Sequence, residues 1–109
     1  MRLSPLDREM YRMQAGTAMA HLLANRFDAA SSWAEMAFRE SPIFLYAVGT
    51  LAASHALAGR IDQAQRAVTH LRQLDPALRI SKLPDWLPFY RADDLATLAS
   101  GLRKAGLPE

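Results

Sequence analysis

The chain has no cysteine among its 109 residues. That excludes a disulfide framework and a thiolate metal site and is compatible with a reducing cytoplasm, the compartment expected. Charge of one sign is also scarce: 13 Lys and Arg against 11 Asp and Glu leave a formal net charge of +2. The arginines are scattered, with no basic block interleaved with aromatics, so no nucleic-acid partner is expected. No run reaches the roughly 18–20 apolar residues of a membrane span, and the start lacks the apolar segment of a secretory signal. The 5 glycines (Gly16, Gly49, Gly59, Gly101, Gly106) never cluster into a phosphate-cradling loop, and no G-x-S-x-G elbow is present. Ser31, Ser32, Ser41 and Ser54 fall in expected helices or caps, and Asp93-Asp94 reads as a helix start. No catalytic residue, cofactor, metal or membrane is expected.

What the chain does have is an echo. Ala18 to Ala30 reads AMAHLLANRFDAA, and Ala52 to Ala64 reads AASHALAGRIDQA. His21/His55, Arg26/Arg60, Asp28/Asp62 and Ala30/Ala64 are among the identical pairs, all 34 residues apart, and Pro42 and Pro76 keep the same spacing. A fixed period of this length is the mark of stacked helical units. Hydrophobic residues make up 50% of the chain, enough for a core.

The periodicity predicts a helix from about Asp7 to Ala24, a turn at Asn25-Arg26, and a second helix from Phe27 to about Glu40, closed by Ser41-Pro42. The plan then repeats. A helix runs from Ile43 to about Ala58, Gly59-Arg60 turns, and a helix runs from Ile61 to about Leu74, closed by Asp75-Pro76. Ala18, Ala30, Ala52 and Ala64 are small enough for the helices of each hairpin to cross closely. The third unit departs from the plan: a short helix over Ala77 to Leu83, an irregular stretch broken by Pro84 and Pro88, and a last helix from Asp93 or Asp94 to Ala105, stopped by Gly106. Leu95, Leu98 and Leu102 fall 34 residues after Ile61, Ala64 and Val68, in phase with a second helix. Trp86 and Phe89 in the broken stretch are expected to cover apolar surface on the last unit, with partner anchoring as the alternative. The chain reads as one all-α domain, residues 1–109, with units at 6–42, 43–76 and a degenerate capping unit at 77–109. Leu3-Ser4-Pro5 looks like the tail of a preceding unit, as in a piece of a longer array, or like a helix cap.

The 34-residue helix-turn-helix unit, the small Ala18 and Ala52, the Phe27-Asp28 and Ile61-Asp62 pairs after each turn, Ala30 and Ala64, and the closing prolines together resemble the tetratricopeptide repeat (TPR). His21 and His55 stand where that family usually has tyrosine, and its Trp and Gly signature is missing from the first helices. The resemblance implies a helical-hairpin array whose first helices line a concave groove. Here that places Arg12, Ala15, Met19, Leu22 and Leu23 with Tyr46, Gly49, Thr50, Ala53 and Leu57. The Lys, Asn and Arg that clamp a terminal carboxylate in the family's chaperone-tail binders are absent. The groove is apolar and rich in small residues, suited to an amphipathic helix or apolar peptide. The ending LPDWLPFYRADDLATLASGLRKAGLPE resembles the end of the repeat modules attached to bacterial class III adenylate or guanylate cyclases and to some winged-helix regulators. That implies the interaction module of a signalling protein, without cyclase chemistry of its own.

His21 and His55 invite a two-histidine metal site, but repeat equivalence explains their spacing without a ligand, as packing positions whose ring nitrogen serves a local hydrogen bond. His70 is expected on an exposed face. The function expected is a protein or peptide scaffold. The alternative is a homodimer joined through an exposed apolar edge at Met10, Tyr11 and Met13.

Overall fold

The computed structural model describes residues 4–88 and 90–109, with side chains from residue 10 onward except that of Phe89. Helix α1 spans Ser4–Leu23, α2 Phe27–Glu40, α3 Leu45–Leu57 and α4 Ile61–Leu74. A 3-10 turn at Ile80–Lys82 leads into the one-turn α5 (Leu83–Trp86), and α6 spans Ala92–Ala105. No strand occurs among the described residues, so the chain is all-α there.

The 34-residue echo sets these boundaries. Phe27 and Ile61 open α2 and α4, and Glu40 and Leu74 close them. Each hairpin turn is a left-handed helix exit, at Asn25 (φ 64°) and Gly59 (φ 90°). The Arg26 amide donates to the His21 carbonyl and the Arg60 amide to the His55 carbonyl, both at 2.8 Å. This is the helix-ending motif in which the amide two residues past the last helical turn reaches back to satisfy an orphan carbonyl. The motif recurs at the end of α6, where Gly106 (φ 107°) turns the chain and Leu107 donates to Leu102. Pro42 and Pro76 follow the ends of α2 and α4, where a helix cannot continue.

Helix α3 is the centre of the molecule. Every residue from Ala47 to Ala56 is buried, as fits a helix that is apolar or small on all sides. Helices α2 and α4 flank it, α1 lies beside it, and α6 packs along it. Ala18, Ala30, Ala52 and Ala64 are fully buried, as close hairpin crossings require. Leu22, Leu71, Leu83, Leu98 and Leu102 fill the spaces between helices, each contributing roughly 2 kcal/mol by leaving water.

The sequence-based expectation differs from the structure in three places here. The short helix expected over Ala77 to Leu83 does not form: the chain turns at Pro76-Ala77, and helical structure starts only with the 3-10 turn at Ile80. Pro84 does not break a helix; it sits in the first turn of α5, where its missing N–H is no loss. And α6, although in phase with α4, packs chiefly along α3 and reaches α1, with α4 a lesser neighbour. The chain end is then tied down. The amides of Ile80 and Ser81 donate to the carbonyls of Pro108 (2.8 Å) and Glu109 (2.9 Å), and Leu107 is buried. The radius of gyration, 13.1 Å, is that of a compact domain of this length.

Candidate functional site

The face expected to line an open groove is covered by the chain's own C-terminal segment. A Cβ on Gly49 would lie 2.8 Å from the Trp86 ring, and one on Gly101 would lie 2.7 Å from the Ala53 Cβ. Gly49 and Ala53, one turn apart on α3, therefore seat a tryptophan ring and the backbone of α6. Thr50 is fully buried, its hydroxyl donating to the Tyr46 carbonyl at 2.8 Å. Met19 and Leu22 belong to the main core, and Leu23, Tyr46 and Leu57 are half-buried against it. Ala15 faces another way, into a small cluster with Ala37 and Ala47. Arg12 is exposed, its guanidinium 5.6 Å from the centre of the Tyr11 ring. The apolar, small-residue face does take an amphipathic helix, and that helix is α6. Trp86 covers this surface in the manner expected; Phe89 lies outside the described residues.

A ladder of rings fastens the covering segment. Tyr11 meets Phe44 edge-on at 5.0 Å, Phe44 stacks on Tyr46 at 5.8 Å, and Tyr46 meets Tyr90 at 6.4 Å, where the two hydroxyls are hydrogen-bonded. Burial, then the bond to Tyr90, raises the Tyr46 phenol well above its ordinary range. What stays open of this face is a shallow recess of about 310 Å³ between α1 and the start of α6, bordered by Gly16, Leu23 and Asp94.

The echoed histidines carry a more specific arrangement. In the helix-ending motif the side chains of the residues joined by the long backbone bond meet, and two apolar groups often make that contact. Leu102 and Leu107 hold these places at the end of α6, both buried in the main core. At the other two ends the pair is His–Arg. Arg26 Nε donates to His21 Nδ1 and Arg60 Nε to His55 Nδ1, both at 2.9 Å. Arg60 then reaches across to the first hairpin. Its Nη1 donates to Asp28 Oδ1 at 2.8 Å and its Nη2 to Ser31 Oγ at 2.9 Å, while Ser31 Oγ lies 3.0 Å from Ser54 Oγ. One guanidinium thus joins the last turn of α3 to the first turn of α2. The sequence placed Arg60 in a turn and Asp28 at a helix start but did not show them as partners, because their bond crosses from one unit to the next.

His55 is buried, and with Nδ1 accepting from Arg60 its proton sits on Nε2, 3.8 Å from Glu35 Oε2. Burial, then the Arg60 charge, lowers its pKa below the usual 6.5, with Glu35 opposing in part. The folded state therefore resists protonation that the unfolded state accepts. Stability is full above about pH 6.5 and falls as pH drops from there toward the lowered folded value. Urea midpoints measured from pH 7.5 to 5 are expected to decline below 6.5, and His55→Gln is expected to flatten that decline. An unchanged slope in the variant would refute this.

Beside this network a cleft of about 220 Å³ lies between α2 and α4, floored by Val48 and Leu51 of α3. His70, expected on an exposed face, is instead half-buried. Its ring meets Phe38 edge-on at 5.3 Å and its Nε2 lies 2.7 Å from the Pro42 carbonyl. No group of three His, Cys, Asp or Glu side chains among the described residues could hold a metal ion. No described helix is long and apolar enough to cross a membrane.

The open apolar surface lies on α1. Met13 is 57% exposed, and Gly16, Ala20 and Ala24 beside it are exposed as well. Met10 and Tyr11 are half-buried, Tyr11 being held by Phe44. The apolar edge expected at Met10, Tyr11 and Met13 thus narrows to Met13 and its small neighbours. Beyond it, at the end of α1, stands the His21–Arg26 pair. No family model, curated protein or solved structure matches the chain.

Proposed function

We propose that the chain is a protein–protein interaction module of the tetratricopeptide type, whose docking surface is the outer edge of α1. The observation that carries this reading is the recurrence of one helix-ending device at a 34-residue spacing, down to the Arg–His bond at 2.9 Å in both copies. Repeated units of this kind bury one face against the next unit, and α1 is the helix whose equivalent face has no neighbour among the described residues. The covered concave face supports the same choice, because a peptide seated there would have to displace Trp86 and α6. Resemblance of the C-terminal stretch favours a bacterial signalling protein as the setting, such as a nucleotide cyclase or winged-helix regulator, acting in the cytoplasm. The role of this module is binding, and no catalytic residue is assigned to it.

Homo-oligomerisation is the second reading, favoured by the exposed Met13. Sedimentation equilibrium decides it: a strict monomer at high concentration removes it. For the docking module, a photocrosslinking residue at position 13 of the chain in its native host is expected to capture a partner. Excess wild-type chain should compete for that capture, and Met13→Glu chain should not. Equal competition by the two would overturn the α1 edge as the docking surface.

A further inference from the structure

We propose that His21 and Arg26 are one half of a latch that receives a partner helix whose first turn carries an aspartate, followed three residues later by serine or threonine. The proposal rests on the docking-module reading and names the chemistry of its partner.

The template lies inside the chain. At the junction of the two hairpins Arg60 is held by His55 through Nε, which leaves both Nη atoms aimed at α2. There they meet Asp28, the second residue of α2, and Ser31, one turn further on. Glu35, one more turn along the same face, faces the Nε2 side of His55. Ala37 closes the contact against Ala47.

Shift each α3-side residue back by 34 and the same set stands at the open edge. Arg60 becomes Arg26, His55 becomes His21, and Ala47 becomes Met13. The Nε to Nδ1 bond is the same 2.9 Å, so the guanidinium of Arg26 is already oriented. No hydrogen bond or ion pair engages its Nη atoms among the described residues. A pre-oriented, exposed fork of N–H donors beside an exposed Met13 is complementary to an acidic helix start with an apolar flank. One substitution marks the difference between the sites: Ala20 stands where Ser54 meets Ser31. The partner hydroxyl would therefore be shared between Arg26 and its own helix, as Ser31 Oγ donates to the Phe27 carbonyl at 2.9 Å.

A second copy of the chain is the weaker candidate. Its α4 offers the exposed Asp62, but Gln65 and Thr69 replace the serine and glutamate of the pattern.

The probe is a fluorescein-labelled synthetic peptide with the sequence of residues 27–41, FDAASSWAEMAFRES, titrated with the intact chain. Binding is expected to weaken about tenfold with Arg26→Ala chain and up to about fivefold with a peptide carrying Asp28→Asn. Added salt should weaken it too. Arg26→Glu chain is expected to recover affinity for a peptide carrying Asp28→Arg. Arg26 is exposed, so its variants keep the wild-type unfolding midpoint. Binding that is lost in Met13→Glu but indifferent to Arg26→Ala overturns the latch and leaves the α1 edge standing. Binding indifferent to both, as expected if the peptide displaces α2 from α3, overturns the latch and the edge together. No peptide binding, with self-association that Arg26→Ala abolishes, overturns the proposal in favour of a second copy.

Discussion

Replacing Gly101 with alanine is expected to destabilise the protein by about 1 kcal/mol or more, although alanine is the better helix former. The added Cβ would lie 2.7 Å from the Ala53 Cβ and 2.9 Å from both its Cα and its carbonyl oxygen. Backbone atoms cannot turn aside as the end of a flexible side chain can, so the two helices must separate. Separation thins the contact of Leu98 and Leu102, both nearly fully buried, with the core. Against this stands the gain in helix propensity, about 1 kcal/mol. Overpacking costs typically 1–3 kcal/mol and occasionally more, so the steric term wins. Gly16→Ala is the control: nothing lies within 4 Å of its added Cβ. That variant is expected to gain up to about 1 kcal/mol. Urea unfolding of the two side by side checks both signs, and a Gly101→Ala chain as stable as wild type would mean that α6 does not cross α3 at Ala53.

The second large effect is expected at Arg60. Arg60→Met removes bonds to His55, Asp28 and Ser31 at once. The ion pair with Asp28 alone carries little weight, because the carboxylate is 88% exposed. The larger part comes from His55 Nδ1, an acceptor on a buried ring that would lose its donor. Together these amount to about 3 kcal/mol. Lysine is not expected to rescue, since one ammonium cannot serve three acceptors arranged around a planar fork. The same substitution at Arg26, which holds only His21, is expected to cost under about 0.5 kcal/mol. Thermal unfolding of the two variants measures the contrast. Equal losses would show that the stability comes from the turn and not from the junction between hairpins.

The helices and their turns were legible because each signal is local. Asn25 and Gly59 turn the chain where a left-handed residue is needed, and the alanines at 18, 30, 52 and 64 are as buried as their spacing requires. Two things were not legible, for different reasons. The first is the position of α6. Leu95, Leu98 and Leu102 keep the 34-residue phase, but phase describes only which face of a helix is apolar, and says nothing of which neighbour takes it. Gly49, Ala53 and Gly101 held the missing information, because Gly101 against Ala53 permits a close crossing of α6 over α3 and Gly49 makes room for the Trp86 ring. An open groove and a filled one need the same small apolar residues, so Gly49 and Ala53 could not reveal from sequence that Trp86 and α6 lie against them. The second is the Arg60 junction. Comparing equivalent positions aligns His55 with His21 and Arg60 with Arg26, and so hides the bond that Arg60 makes to the neighbouring unit.

The placement of α6 also bears on the order in which the protein is made. Gly49 and Ala53 are synthesised well before the helix that covers them. Until Ala92–Ala105 has left the ribosome, α3 has one wall missing and its small apolar face meets solvent. At that stage the two hairpins have an unfinished core, a form open to helices from other chains. Completion of α6, and the pairing of Ile80 and Ser81 with Pro108 and Glu109, closes that window. The concave face is thus exposed to foreign helices before α6 emerges and is occupied from within once α6 has packed.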